Sequence, residues 1–145
     1  MLEHEAVTKQ VIGAFYEVYN GLGTGFLEKV YENALAIELD QRGLQVEQQR
    51  HIPVHYRGRL VGEYFADVVV EDLVIVELKI AKKITNVHVG QLINYLKATY
   101  CEVGFVLNFG PEAKFERRFA SNDKKPHLKK NPRQSVQSGK SAVNF

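Results

Sequence analysis

Three ionisable residues stand inside an apolar setting in the stretch FADVVVEDLVIVELK, residues 65–79. Asp67, Glu77 and Lys79 interrupt two β-branched runs, Val68–Val70 and Leu73–Val76. Consecutive apolar residues in both runs predict strands buried on both faces, where a charge needs a partner or a purpose. Two carboxylates and an amine in one place suit a hard divalent cation. Mg²⁺ prefers oxygen donors, keeps much of its water, and needs only one or two protein carboxylates beside a phosphate. An ammonium next to such an ion can favour hydroxide and steady charge growing on a phosphate. The competing reading is a salt bridge on a solvated sheet face, and the apolar neighbours on both sides argue against it.

Strand parity decides whether the two acids can meet. With a two-residue turn at Glu71 and Asp72, Val70 pairs with Leu73, and Asp67 and Glu77 fall on opposite faces. With a three-residue turn, Glu71 to Leu73, or with a β-bulge, Val70 pairs with Val74 and Asp67 stands opposite Glu77. The carboxylates would then lie roughly 5 Å apart at Cβ, and like charges at that range demand a counter-charge. Both registers are open at this stage.

The elements that must position these groups follow from periodicity. Val7, Val11, Phe15 and Val18 mark an amphipathic helix over residues 3–19, and the glycines of NGLGTG end it. Thr24 is the expected N-cap of a second helix, Gly25 to Arg42, whose buried stripe is Leu27, Val30, Tyr31, Ala34 and Leu35, with Gly43 as its stop. Even spacing of Val46, Ile52, Val54 and Tyr56 then predicts a strand turning near Arg57 and Gly58, followed by RLVGEYFADVVV and LVIVELKI as two more. Helical spacing returns through Leu92, Tyr95, Leu96 and Thr99, before a central strand EVGFVLNF and an edge strand KFERRF. The order helix, helix, three antiparallel strands, helix, strand predicts an α/β sandwich around a small mixed sheet.

Length and charge bound the rest. The 145 residues suffice for one domain with a proper core. Six Lys/Arg against one acid from Ala120 onward give that segment +5, leaving −3 for residues 1–119. We expect a domain over 1–119 and an unstructured basic tail over 120–145 that could touch a polyanion. The single cysteine, Cys101, falls in a strand-like run and reads as a packed thiol. His51 and His55 are four apart in an extended segment, which argues against a histidine metal site. Neither a membrane span nor a signal peptide is predicted, and a cytoplasmic location is expected.

Asp67 followed by Glu77-Leu78-Lys79 resembles the PD-(D/E)xK nuclease signature, with Ala66 where a proline is common. Gln91-Leu92-Ile93-Asn94-Tyr95 is similar to the QxxxY motif of the RecB-like branch. Gly25-Phe26-Leu27-Glu28-Lys29-Val30-Tyr31 matches the pattern of the GxxExxY family of that superfamily. Together the motifs span about residues 5 to 110. The resemblance implies a restriction-endonuclease-like fold and a metal-dependent nuclease acting on nucleic acid, most plausibly DNA. It implies that Asp67, Glu77 and the Leu78 carbonyl bind Mg²⁺, with Mn²⁺ as a substitute, and that Lys79 orients or activates the attacking water. Glu28 would act near the metal, and Gln91 and Tyr95, on one helical face, would support the site or contact substrate. The alternative expectation is a catalytically silent nuclease-fold module binding nucleic acid or protein, with a homo-oligomer left open.

Overall fold

A computed structural model describes residues 2–128. The elements are α1 (Leu2–Leu22), α2 (Glu28–Gln41), β1 (Val46–Tyr56), β2 (Arg59–Val70), β3 (Val74–Lys79), α3 (Asn86–Lys97), β4 (Val103–Phe109) and β5 (Ala113–Phe119). They form one five-stranded sheet in the order β1-β2-β3-β4-β5, antiparallel except for the β3–β4 pair, which is parallel and bridged by α3. The expected α/β architecture and element order are thus observed, in the restriction-endonuclease-like arrangement.

The sheet separates two cores. On one side α1 and α2 pack Val11, Phe15, Tyr31 and Leu35 onto Val68, Val76, Leu78 and Phe105. On the other, α3 packs Leu92, Tyr95 and Leu96 onto Val69, Ile75 and Val106. β3 and β4 therefore run through apolar surroundings on both faces, as their continuous Val/Ile/Leu/Phe runs require. Gly104 lets α3 approach, because a Cβ there would stand 2.5 Å from Leu92 Cδ1 and 3.2 Å from the Ile75 carbonyl. That close contact fixes the height of Gln91 and Tyr95 above the end of β3.

The start of α2 departs from expectation. Its N-cap is Leu27, with no side-chain cap, and Thr24 lies outside the helix. Gly25 takes φ 107°, a conformation that only glycine adopts freely, and the loop is held instead by Tyr31, whose hydroxyl donates to the Gly23 carbonyl and accepts the Phe26 N–H. The Tyr31 ring stacks on Phe109 at 4.6 Å. The buried stripe is Tyr31, Leu35 and Leu39, while Leu27 and Val30, expected inside, are 80% and 39% exposed. Beginning the helix at Glu28 leaves that residue within reach of the charges of Asp67 and Lys79.

The described chain continues past Phe119 as two short 3₁₀ turns, Asn122–Lys124 and Pro126–Leu128. Lys125 is buried there, donating to the carbonyls of Thr99 and Cys101 at 2.9 and 2.8 Å. The first nine residues of the expected unstructured tail are therefore packed on the body, and the remainder, from 129, lies outside the described residues. Cys101 is buried, its thiol on the Asp72 carbonyl and its pKa pushed up to about 11 by burial.

Candidate active site

The β2–β3 hairpin resolves the parity question. Glu71 and Asp72 both adopt left-handed φ, 55° and 56°, and Leu73 N–H closes the turn on the Val70 carbonyl at 2.9 Å. Leu73 is the extra residue, so Val70 pairs with Val74, Val69 with Ile75 and Val68 with Val76. Left-handed Glu and Asp are costly. Bonds from residues at the start of β1 hold them: Glu71 accepts the Gln45 N–H at 2.7 Å, and Asp72 pairs with the buried Arg50 guanidinium, which also reaches Glu47 at 2.8 Å.

One step past Val68 and Val76 the backbone ladder stops and the acids take its place. Asp67 N–H donates to Glu77 Oε2 at 2.9 Å, and Leu78 N–H donates to Asp67 Oδ2, also at 2.9 Å. Each carboxylate thus accepts an amide of the other strand. That reciprocal exchange pins both groups beside each other between the two strands. Lys79 follows two residues later on β3. Its ammonium donates to Gln91 Oε1 at 3.0 Å, and Gln91 Nε2 donates to the Tyr95 hydroxyl at 3.1 Å. The four-residue spacing on α3 therefore produces a single chain of contacts from β3 to the helix. Glu28, at the first turn of α2, lies close enough for the charges of Asp67 and Lys79 to act on it.

The electrostatics of this cluster are unbalanced. Burial, then the Asp67 charge, pushes the Glu77 carboxyl up to about 8, against the opposing pull of the Asp67 amide and Lys79. Asp67 is also raised, mainly by burial, and so is Glu28, by burial and then by Asp67. Burial followed by the Glu77 charge holds the Tyr95 hydroxyl up at about 12. Three acids with raised pKa values around one lysine form a site short of positive charge. This donor set fits a hard divalent cation in its chemistry: two fixed carboxylates that supply oxygen lone pairs beside an amine. No group of three or more His, Cys, Asp and Glu side chains suited to a metal occurs among the described residues, so a cation here would draw on backbone oxygen and water as well.

Three further residues shape the site and were not singled out from the sequence. Gln49 adopts φ 52° in β1, between the paired residues Gln48 and Arg50. Its side-chain amide donates to Asp67 Oδ1 at 3.2 Å and to Glu32 Oε1 at 3.0 Å. Glu32 is 3% exposed and also accepts from Lys29 and Gln48. Asn108, fully buried opposite Lys79, clamps the peptide after β3 by accepting the Ala81 N–H and donating to the Ala81 carbonyl, both at 2.9 Å. A polar residue at the end of a hydrophobic strand run was the available signal for Asn108. Nothing local marks Gln49, whose conformation depends on its neighbours across the sheet.

A solved structure, the crystal structure of SSO0001, is similar to this chain with a TM-score of 0.52 at 16% sequence identity, covering 99% of this chain and 77% of that one. At that identity the likeness concerns the fold. No curated protein matches. The family model of the PD-(D/E)XK nuclease superfamily matches residues 5–119, a span holding Glu28, Asp67, Glu77, Lys79, Gln91 and Tyr95. The chain belongs to the PD-(D/E)XK nuclease superfamily.

Proposed function

We propose that the protein is a metal-dependent nuclease that hydrolyses phosphodiester bonds of DNA, and that within its superfamily it is a GxxExxY member with RecB-like features. The observation that carries the reading is the reciprocal Asp67–Glu77 arrangement beside Lys79, a charge-deficient opening at the end of a rigid hairpin. A Mg²⁺ or Mn²⁺ ion held by Asp67, Glu77 and the Leu78 carbonyl would supply Lewis-acid charge to a scissile phosphate and to water. Lys79, steadied by Gln91, presents its ammonium where negative charge grows during in-line attack. Tyr95 keeps its proton across the working pH range, and its neutral hydroxyl accepts the Gln91 side-chain N–H and so fixes the orientation of that amide. Glu28 faces the same opening from α2 and can orient water. Nucleic acid is the substrate class favoured by membership of a nuclease superfamily.

The test is cleavage of plasmid and linear DNA in Mg²⁺ by purified wild-type protein and by Asp67→Ala, Glu77→Ala and Lys79→Ala variants. The expected result is cleavage that each substitution abolishes while the circular dichroism spectrum stays unchanged. Equal cleavage by all four proteins defeats the assignment.

A further inference from the structure

We propose that the outer β1–β2 ribbon is an arm by which the site grips double-stranded nucleic acid, a proposal that rests on the nuclease reading above. β1 and β2 stay paired from Val46↔Val70 out to Tyr56↔Arg59, whereas β3 joins β2 only at residues 68–70. The outer half of this hairpin therefore runs past the sheet. Its root is anchored, because Ile52, Tyr64 and Ala66 belong to the core beneath α3 and the Tyr64 and Tyr95 rings lie 5.1 Å apart. Its tip is free. Every residue from His55 to Val61 is exposed, including Tyr56 at 62%, Leu60 at 50% and Val61 at 62%.

Charge selects the partner. Between Glu47 and Glu63 there is no acidic residue, in a body whose net charge is −3, and the tip carries Arg57 and Arg59 on either side of Gly58. The Arg57 guanidinium lies 5.3 Å from the Tyr56 ring centroid, and neither arginine makes an ion pair among the described residues. Two uncommitted guanidiniums with an aromatic ring between apolar side chains suit phosphates and the sugar edge of a groove. A two-stranded ribbon is of a size that the major groove, about 12 Å wide, admits. Single strands are held instead by grooves with successive stacking platforms, and this tip is a projection with one exposed tyrosine. β2 is also continuous from the tip to the carboxylate pair. Arg59 and Asp67 are eight residues apart, about 26 Å of extended strand, which matches about 8 base pairs of duplex. The arm thus sets how far substrate must extend to one side of the scissile phosphate.

The experiment measures binding of a labelled duplex of about 30 base pairs by anisotropy over a salt series, in an Asp67→Asn background and with Arg57→Ala/Arg59→Ala added. The expected result is weaker binding and a log–log salt slope shallower by about 2, since each lost phosphate contact removes about 0.9. Arg57→Lys/Arg59→Lys should keep most of the slope. Trimming the duplex to fewer than about 8 base pairs on the arm side should reproduce the loss. In Asp67-intact protein, Arg57→Ala/Arg59→Ala should titrate Mn²⁺ like wild type, with an unchanged melting temperature because the tip is exposed. Unchanged affinity and slope, with cleavage of duplex intact, overturn the arm alone. So does a monomer–dimer equilibrium that shifts in Leu60→Ser/Val61→Ser while DNA binding stays constant. A wild-type protein that neither takes up Mn²⁺ nor cleaves DNA defeats the underlying nuclease reading instead.

Discussion

The β2–β3 hairpin has a closed end and an open end, and they treat buried charge in opposite ways. At the closed end Arg50 is shared between Glu47 and Asp72, so the guanidinium is compensated, and its partners also steady a turn with two left-handed acidic residues. At the open end Asp67, Glu77 and Glu28 surround Lys79, and all three carboxyls have raised pKa values. Between the two ends lie three regular apolar pairs. The first cluster completes the fold. The second leaves it with unbalanced charge, the feature on which the proposed cation and phosphate site rests.

Substitutions should separate the two clusters. The largest effect is expected at the open end: Asp67→Asn or Glu77→Gln should lower cleavage by about a thousandfold or more and remove Mn²⁺ uptake by calorimetry, because each deletes a fixed charge from the donor pair. The same substitutions should raise the denaturation midpoint of the metal-free protein at neutral pH, because they remove the cost of burying a carboxyl that is ionised in the unfolded chain. Asp72→Ala should do the reverse. It leaves Arg50 short of a partner and frees a strained turn, so urea unfolding should show a loss of about 2–3 kcal/mol, with Mn²⁺ affinity held within a few-fold.

Acidity sharpens the contrast. The Glu77 carboxyl holds its proton up to about 8 in the folded protein, against 4.5 for the ordinary group. Its contribution to stability is therefore complete below the unfolded value and is lost as pH rises toward the folded one. Metal-free protein should weaken between these values by at most about 1.4 kcal/mol per pH unit, as read by urea midpoints, and Glu77→Gln should flatten that dependence. Saturating Mn²⁺ should also flatten it, and metal uptake at neutral pH should release protons to the buffer. The smallest effect is expected at Gln49. Gln49→Ala removes the amide that ties Asp67 to Glu32 and should weaken Mn²⁺ binding by about tenfold in the same calorimetric titration.

Much of this was legible in the sequence because the hydrophobic period changes cleanly from helical to alternating at Leu44 and back near Val87. The strand order and the double burial of β3 and β4 followed from runs such as Leu73–Val76 and Phe105–Leu107. The register of the hairpin was not legible. Left-handed Glu71 and Asp72 carry no glycine or asparagine signal, and what holds them, the Gln45 amide and Arg50, is brought by another strand. The start of α2 was misplaced for a similar reason: Thr24 has the chemistry of a cap, but the Tyr31 hydroxyl holds the loop from a full turn away. The tail illustrates the limit of composition, since Lys125 belongs to a polar, basic segment and is nevertheless buried on two carbonyls. Of the candidate site, Asp67, Glu77 and Lys79 stood out as charges inside apolar runs and Glu28 and the α3 pair entered through the family resemblance, whereas Gln49 and Asn108 act through partners distant in sequence.

The most direct measurement is an anomalous difference map from a crystal soaked in Mn²⁺. The account predicts one peak at the open end of the hairpin, within coordination distance, about 2.2 Å, of oxygens from both Asp67 and Glu77. A map with no peak there, or side-chain oxygens turned to opposite faces of the sheet, would contradict it.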